Sequence, residues 1–370
     1  MAMSPGISST AGGVSQTQVA LEIGDLLKYA VERGASDLHL VVGRPPQVRI
    51  DGDLIDVDAP KLVPADAQRL VYSVLSDLQK QKFEDEKELD FSLSISNLSR
   101  FRVNAHLQRG TIAASFRLIP DRIRAFDELH LPKVLNRLAR RPNGLILVTG
   151  PTGSGKSTTM AAMVDVINAE RPVHIITVED PIEYLHAHKK SLVEQREVAQ
   201  DTHSFVAALK YVLRQDPDVI LIGEMRDLET IGAALTAAET GHLVMTTLHT
   251  NDVVQTIDRV IDVFPPHQQQ QVRIQLAASI EGVLCQKLLP SASGRGREIC
   301  CEVMVANDAI RAQIREGKTH QIYTTIEASA RDGMQTMDRA LEDLYTRGRI
   351  TRETALTNAR KPKELERKMY

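Results

Sequence analysis

The chain has 370 residues, enough for two domains with a core each. Hydrophobic residues make up 42% and charged residues 25%, an ordinary globular composition, and the formal net charge of -3 argues against a surface dominated by nucleic-acid phosphate contacts. No apolar run approaches the ~20 residues that span a bilayer, and no signal peptide opens the chain, so a cytoplasmic protein without direct membrane insertion is expected. Three cysteines, Cys285, Cys300 and Cys301, can form neither a paired disulfide framework nor the two C-x-x-C pairs of a zinc site, and read as packed thiols.

Residues 1–18 are small, polar and rich in Gly and Ser, which reads as a flexible tail. Residues 19–33 carry apolar side chains at helical spacing, with Gly34 as the stop. A strand is expected at 37–42, and 47–50 with 54–57 form a hairpin about Asp51-Gly52. Residues 64–83 read as one amphipathic helix with Leu70, Val71, Val74, Leu75 and Leu78 on its buried face. Strands at 89–95, 101–108 and 111–119 follow, turning at Asn97 and at Arg109-Gly110. This is a small α+β domain over 19–120, antiparallel in its second half. Asp37 and His39 alternate on one strand and share a face, as a structural hydrogen-bonding pair would. Arg102 and Arg117 are either salt-bridging surface arginines or fingers that reach a phosphate held by a neighbouring subunit. The charged stretch 121–131, with prolines at both ends, reads as a linker to a domain over 132–370.

From there strands and helices alternate, which predicts a parallel sheet with helices on both faces. Gly150-Pro151-Thr152-Gly153-Ser154-Gly155-Lys156-Ser157 fits a phosphate loop at every fixed position, between the apolar strand 144–149 and a helix over 158–170. The glycines let successive N–H groups converge on an anion, Lys156 adds a point charge, and the Ser157 hydroxyl suits Mg²⁺. A second strand, 173–178, ends in Glu179, Asp180 and Glu183, placed to orient an attacking water. A helix over 205–215 leads to a third strand, 219–222, which ends at Gly223-Glu224, the place for a metal–water ligand after a phosphate loop. A helix over 227–240 precedes a fourth strand, 243–248, bracketed by His242 and His249, candidates for sensing or contacting the γ-phosphate. Helices are expected at 253–263 and over the whole of 268–289, and a strand at 297–305. The rest is helical and charged. In 309–322, Ile310 and Ile314 face a core while Arg311, Arg315 and Lys318 stay solvated.

Four segments occur in order: the phosphate loop, TVEDPIEY (177–184), VILIGEMRD (219–227) and TGHLVMTTLHTN (240–251). Together they resemble the secretion-superfamily ATPases that drive type II secretion and type IV pili. ASDLHLVVGRPPQVRIDG (35–52) and AIRAQIREGKTHQI (309–322) are similar to the pilus-retraction branch, as is the lack of a tetracysteine zinc insertion. The resemblance covers about residues 19–360. It implies a PAS-like N-terminal domain and a RecA-like ATPase domain, assembled as a ring of six that binds ATP and Mg²⁺ between the two domains. It also implies roles for single residues. Lys156 and its loop, through Thr158, bind phosphate; Ser157 and, through water, Glu224 hold the metal; Glu183 is the catalytic glutamate. His249 and His242 form a histidine box, and Arg102 and Arg117 act at subunit interfaces. The implied partners are an inner-membrane pilus platform protein at the cytoplasmic face and accessory or opposing pilus ATPases. Two other readings of the same motifs are a nucleotide-dependent regulator with little turnover, and a RecA-like nucleic-acid translocase.

Overall fold

The computed structural model describes residues 21–369 apart from Asp51, Asn97 and Asp121. The tail expected over 1–18 lies outside the described residues, as do the turn positions Asp51 and Asn97. The chain divides into two compact units, up to Ile119 and from Pro120 on.

The first unit comprises α1 (Ile23–Glu32), β1 (Asp37–Leu40), β2 (Gln47–Ile50), β3 (Asp53–Asp56), α2 (Pro64–Tyr72), α3 (Asp77–Glu86), β4 (Glu88–Ile95), β5 (Ser99–Gln108) and β6 (Thr111–Ile119). The six strands form one sheet in the order β3-β2-β1-β6-β5-β4, antiparallel throughout. Alternation divides the sheet into two faces. Leu38, Val48, Val103 and Phe116 bury one face in a core shared with Leu26 and Leu27 of α1 and Leu70 and Val71 of α2. This is the small PAS-like α+β unit. The single helix expected over 64–83 is two helices. Ser76 caps α3 with a reciprocal capping box to Gln79, which stops α2 at Ser73 and turns Leu78 outward, where it is 80% exposed.

The second unit comprises α4 (Val134–Ala139), β7 (Gly144–Thr149), α5 (Lys156–Glu170), β8 (His174–Glu179), β9 (Leu192–Glu197), α6 (Phe205–Val212), β10 (Val219–Ile222), α7 (Leu228–Glu239), β11 (Leu243–Leu248), α8 (Val253–Asp262), α9 (Pro266–Ser279), β12 (Ile280–Pro290), β13 (Arg297–Val305), α10 (Asp308–Arg315), α11 (Ile322–Ala328), α12 (Met337–Thr346), α13 (Arg352–Asn358) and α14 (Pro362–Lys368). Its sheet runs β13-β12-β7-β11-β10-β8-β9, parallel except for the edge strand β13. Every residue of β7, β10 and β11 is buried, so both faces of the central strands are covered. This is the RecA-like α/β arrangement. Phe126 and Leu131, within the stretch read as a linker, are buried in this unit's core and belong to it.

The structure corrects two expectations here. The long helix over 268–289 ends at Ser279, and the chain continues as β12, where Val283, Leu284 and Cys285 are wholly buried between β7 and β13. An apolar run of that length fits either element, and only the neighbouring strands decide. The edge strand β9 was not expected, because LVEQRE offers one buried apolar residue, Val193. The three thiols are buried as read, and burial pushes the Cys300 thiol up to about 12.

Candidate functional site

β7 delivers the chain to Gly150 at its C-terminal end, and α5 begins at Lys156, so the loop spans a strand end and a helix start. Gly150, Gly153 and Gly155 all take positive φ, the backbone region open to glycine. Pro151, Thr152 and Gly153 are exposed, whereas Ser154 and Lys156 are buried. The Lys156 ammonium donates to the Gly150 and Pro151 carbonyls at 2.9 and 3.1 Å. Burial lowers its pKa, and the carboxylates of Glu224 and Glu183, close enough to act on it, offset part of that. The C-terminal edge of the sheet therefore gathers the lysine and both predicted acids. The Ser154 hydroxyl is buried and has no hydrogen-bond partner among the described residues.

The acidic segment follows β8. Glu179 ends the strand with its carboxyl enclosed, accepting hydrogen bonds from the Thr177 hydroxyl at 2.7 Å and Gln195 Nε2 at 3.3 Å. Burial pushes its pKa up to about 7, and the charge of Glu183 adds to the rise, against those two bonds and one from the Glu183 backbone N–H. Gln195 also donates to the Tyr184 carbonyl at 2.8 Å, and the Tyr184 hydroxyl pairs with Thr158 at 2.8 Å. The loop that presents the exposed Glu183 is thus tied to β9 on one side and to the first turn of α5 on the other.

Glu224 follows β10 through Gly223. A Cβ at Gly223 would lie 3.3 Å from the Glu179 Cα, so the glycine lets the two acidic segments approach. Thr247 Oγ1 donates to the Gly223 carbonyl at 2.6 Å and fixes that bend to β11. The Glu224 carboxylate pairs with Arg226 at 2.7 Å and His249 Nε2 at 3.1 Å. Burial opposes its ionisation, but Arg226, His249 and Lys156 outweigh it and hold the carboxyl below the usual range.

His249 is therefore brought to the site and His242 is not. His242 precedes β11 at the edge opposite the phosphate loop, roughly 20 Å away at ~3.3 Å per strand residue, since Leu243 pairs with Gly144 and Leu248 with Thr149. Its Nδ1 lies 2.9 Å from the Ala237 carbonyl at the end of α7. In the first unit, Arg102 and Arg117 are cross-strand partners on the open face of the sheet, and both are exposed. Arg117 donates to Asp37 at 2.9 Å, and His39 Nδ1 lies 3.1 Å from the Ser115 hydroxyl. Asp37 and His39 are structural as expected, but each is bonded to β6 rather than to the other.

Sequence reasoning missed Gln286, Tyr184, Gln195 and Thr247. The available signal for Gln286 was a polar residue next to Lys287 at the end of the apolar run 283–285, and it was hidden by reading that run as helix.

Among the described residues no three His, Cys, Asp or Glu side chains cluster as a metal site. Ser157, in the first turn of α5, and Glu224, just past β10, each offer an oxygen donor, the ligand type that Mg²⁺ takes alongside phosphate and water. Among the described residues no helix is long and apolar enough to cross a membrane.

The family model described as Type II/IV secretion system protein matches residues 14–360. The type IV pilus retraction ATPase PilT of Pseudomonas aeruginosa is 48% identical over 92% of this chain and 99% of its own length. A twitching motility protein of Neisseria gonorrhoeae is 45% identical over 92% of this chain and 91% of its own. A crystal structure of the pilus retraction motor PilT with bound ADP matches at TM-score 0.88 and 51% identity, covering 94% of this chain and 99% of that one.

Proposed function

The chain belongs to the type II/IV secretion system protein family and is an ATPase, and we propose that it is the motor that powers type IV pilus retraction. The observation that carries this is the convergence of Lys156, Glu183 and Glu224 at the C-terminal edge of one parallel sheet, where such sheets bind ligands. In the proposed reaction the loop N–H groups and Lys156 hold the β- and γ-phosphates of ATP. Glu183 orients the attacking water and accepts its proton. Ser157 and, through water, Glu224 would hold Mg²⁺, which neutralises charge on the phosphates. His249, whose Nε2 lies 3.1 Å from the Glu224 carboxylate, reports the state of that group to β11.

We place the working unit as a ring of six chains, in which Arg102 and Arg117 reach the phosphates bound by a neighbour. In this proposal the ring works at the cytoplasmic face of the inner membrane, against a pilus platform protein and alongside accessory or opposing ATPases. An accessory retraction paralogue is the alternative within the family.

Turnover and binding measured on two variants test the site. Lys156→Ala should lose nucleotide binding. Glu183→Gln should bind ATP normally and hydrolyse it about 100-fold more slowly or worse. Wild-type turnover in either variant would show that the site is misassigned.

A further inference from the structure

We infer that Gln286 is a positioning residue that holds the phosphate loop in its anion-accepting shape, an inference that rests on reading residues 150–157 as the nucleotide site. β12 runs parallel to β7 with Cys285 opposite Thr149, so Gln286 emerges beside the loop where β7 ends. Its side chain is fully buried. Nε2 donates to the Ser154 carbonyl at 2.6 Å, and Oε1 accepts from the Thr159 hydroxyl at 3.0 Å. The amide can point only one way, because the Ser154 carbonyl can only accept. One side chain therefore bridges the loop to the first turn of α5.

The bridge suits the chemistry of an anion cradle, which needs N–H groups turned inward and carbonyls turned away. By taking up the Ser154 carbonyl, Gln286 keeps that negative dipole out of the cradle. The same residue limits the loop from outside. A Cβ on Gly150 would lie 2.2 Å from the Gln286 carbonyl oxygen, and one on Gly155 would lie 3.2 Å from Nε2.

Gln286 approaches from one side of β7, whereas β10 and β8, which carry Glu224 and Glu183, lie on the other. Its loss should weaken phosphate binding and leave the hydrolytic groups in place. In Gln286→Leu, which roughly conserves volume, the Kd for ADP and the KM for ATP should rise about tenfold, from the buried Ser154 carbonyl and Thr159 hydroxyl losing their shared partner. The kcat should stay within about twofold. Thr159→Val, which breaks only the Oε1 bond, should raise both constants about threefold, and the double variant should be no weaker than Gln286→Leu alone. A folded Gln286→Leu chain that binds ADP within twofold of wild type, or that loses kcat with KM unchanged, would overturn the assignment. If Gln286→Leu fails to fold, Thr159→Val decides alone, and unchanged ADP affinity there overturns it. Lys156→Ala is the control: ADP binding retained in that variant would overturn the nucleotide-site reading instead.

Discussion

At Gly150 a single atom is decisive. A methyl group there would collide with main chain rather than with a flexible tip, and the backbone φ of 141° is itself glycine's. Gly150→Ala should therefore abolish ADP binding while the sheet still folds, as judged by far-ultraviolet circular dichroism. Glu179 makes a different kind of expectation. Its folded carboxyl keeps its proton to about pH 7, whereas an ordinary glutamate gives it up near 4.5. The folded chain binds more protons between those values, so this group lowers stability as pH rises from about 4.5 to 7 and by a constant amount above. Melting temperatures of wild type and Glu179→Gln should accordingly diverge across that window, the variant gaining as pH rises. A gap that stays constant with pH would contradict it. The motif residues were legible singly because their chemistry is tied to spacing. Gln286, Gln195 and Tyr184 were not, because their roles depend on which strand lies beside which.

At the scale of elements, the strands of the second unit were easiest to read. Residues 219–222 are a continuous apolar run and 243–248 a β-favouring one with two threonines, and the structure returns the same bounds. Residues 268–289 were not, since helix and strand share that pattern until β7 and β13 take it as their neighbour. The capping box at Ser76 was present in the sequence as Ser-x-x-Gln, and a smooth hydrophobic period concealed it. Ser76→Ala should cost about 1 kcal/mol of stability, measured by urea unfolding. The 309–322 segment brought a further correction. Arg311 is only partly solvated: it donates to the Ala277 and Ala278 carbonyls at the end of α9 and to Glu281 at 2.6 Å, with Arg141 on the other Glu281 oxygen at 2.8 Å. It anchors α10 to the start of β12, the strand whose far half carries Gln286. Arg315 and Lys318 do stay exposed. Arg311→Ala should destabilise the chain by about 2 kcal/mol by leaving helix-end carbonyls and a carboxylate short of a partner, whereas Lys318→Ala should change stability by less than about 0.5 kcal/mol.

At the scale of the molecule, the proposed motor draws on residues of both units. The second holds the phosphate loop, Glu183 and Glu224. The first displays Arg102 and Arg117 side by side on an open sheet face, with Arg117 steadied by the largely buried Asp37. Arginines of this kind stabilise charge that develops on transferred phosphate, and in the proposed ring they act on a neighbour's nucleotide. Turnover then requires two chains per site, which ties hydrolysis to movement between subunits. The most direct test is the ATPase rate of a mixture of Lys156→Ala chains with Arg102→Ala chains. Each variant alone should be nearly inactive. Mixed, they should recover part of the wild-type rate, because some seams then join an intact lysine to an intact arginine. An Arg102→Ala chain that turns over ATP at the wild-type rate by itself, or a mixture that recovers nothing, would contradict hydrolysis at a shared site.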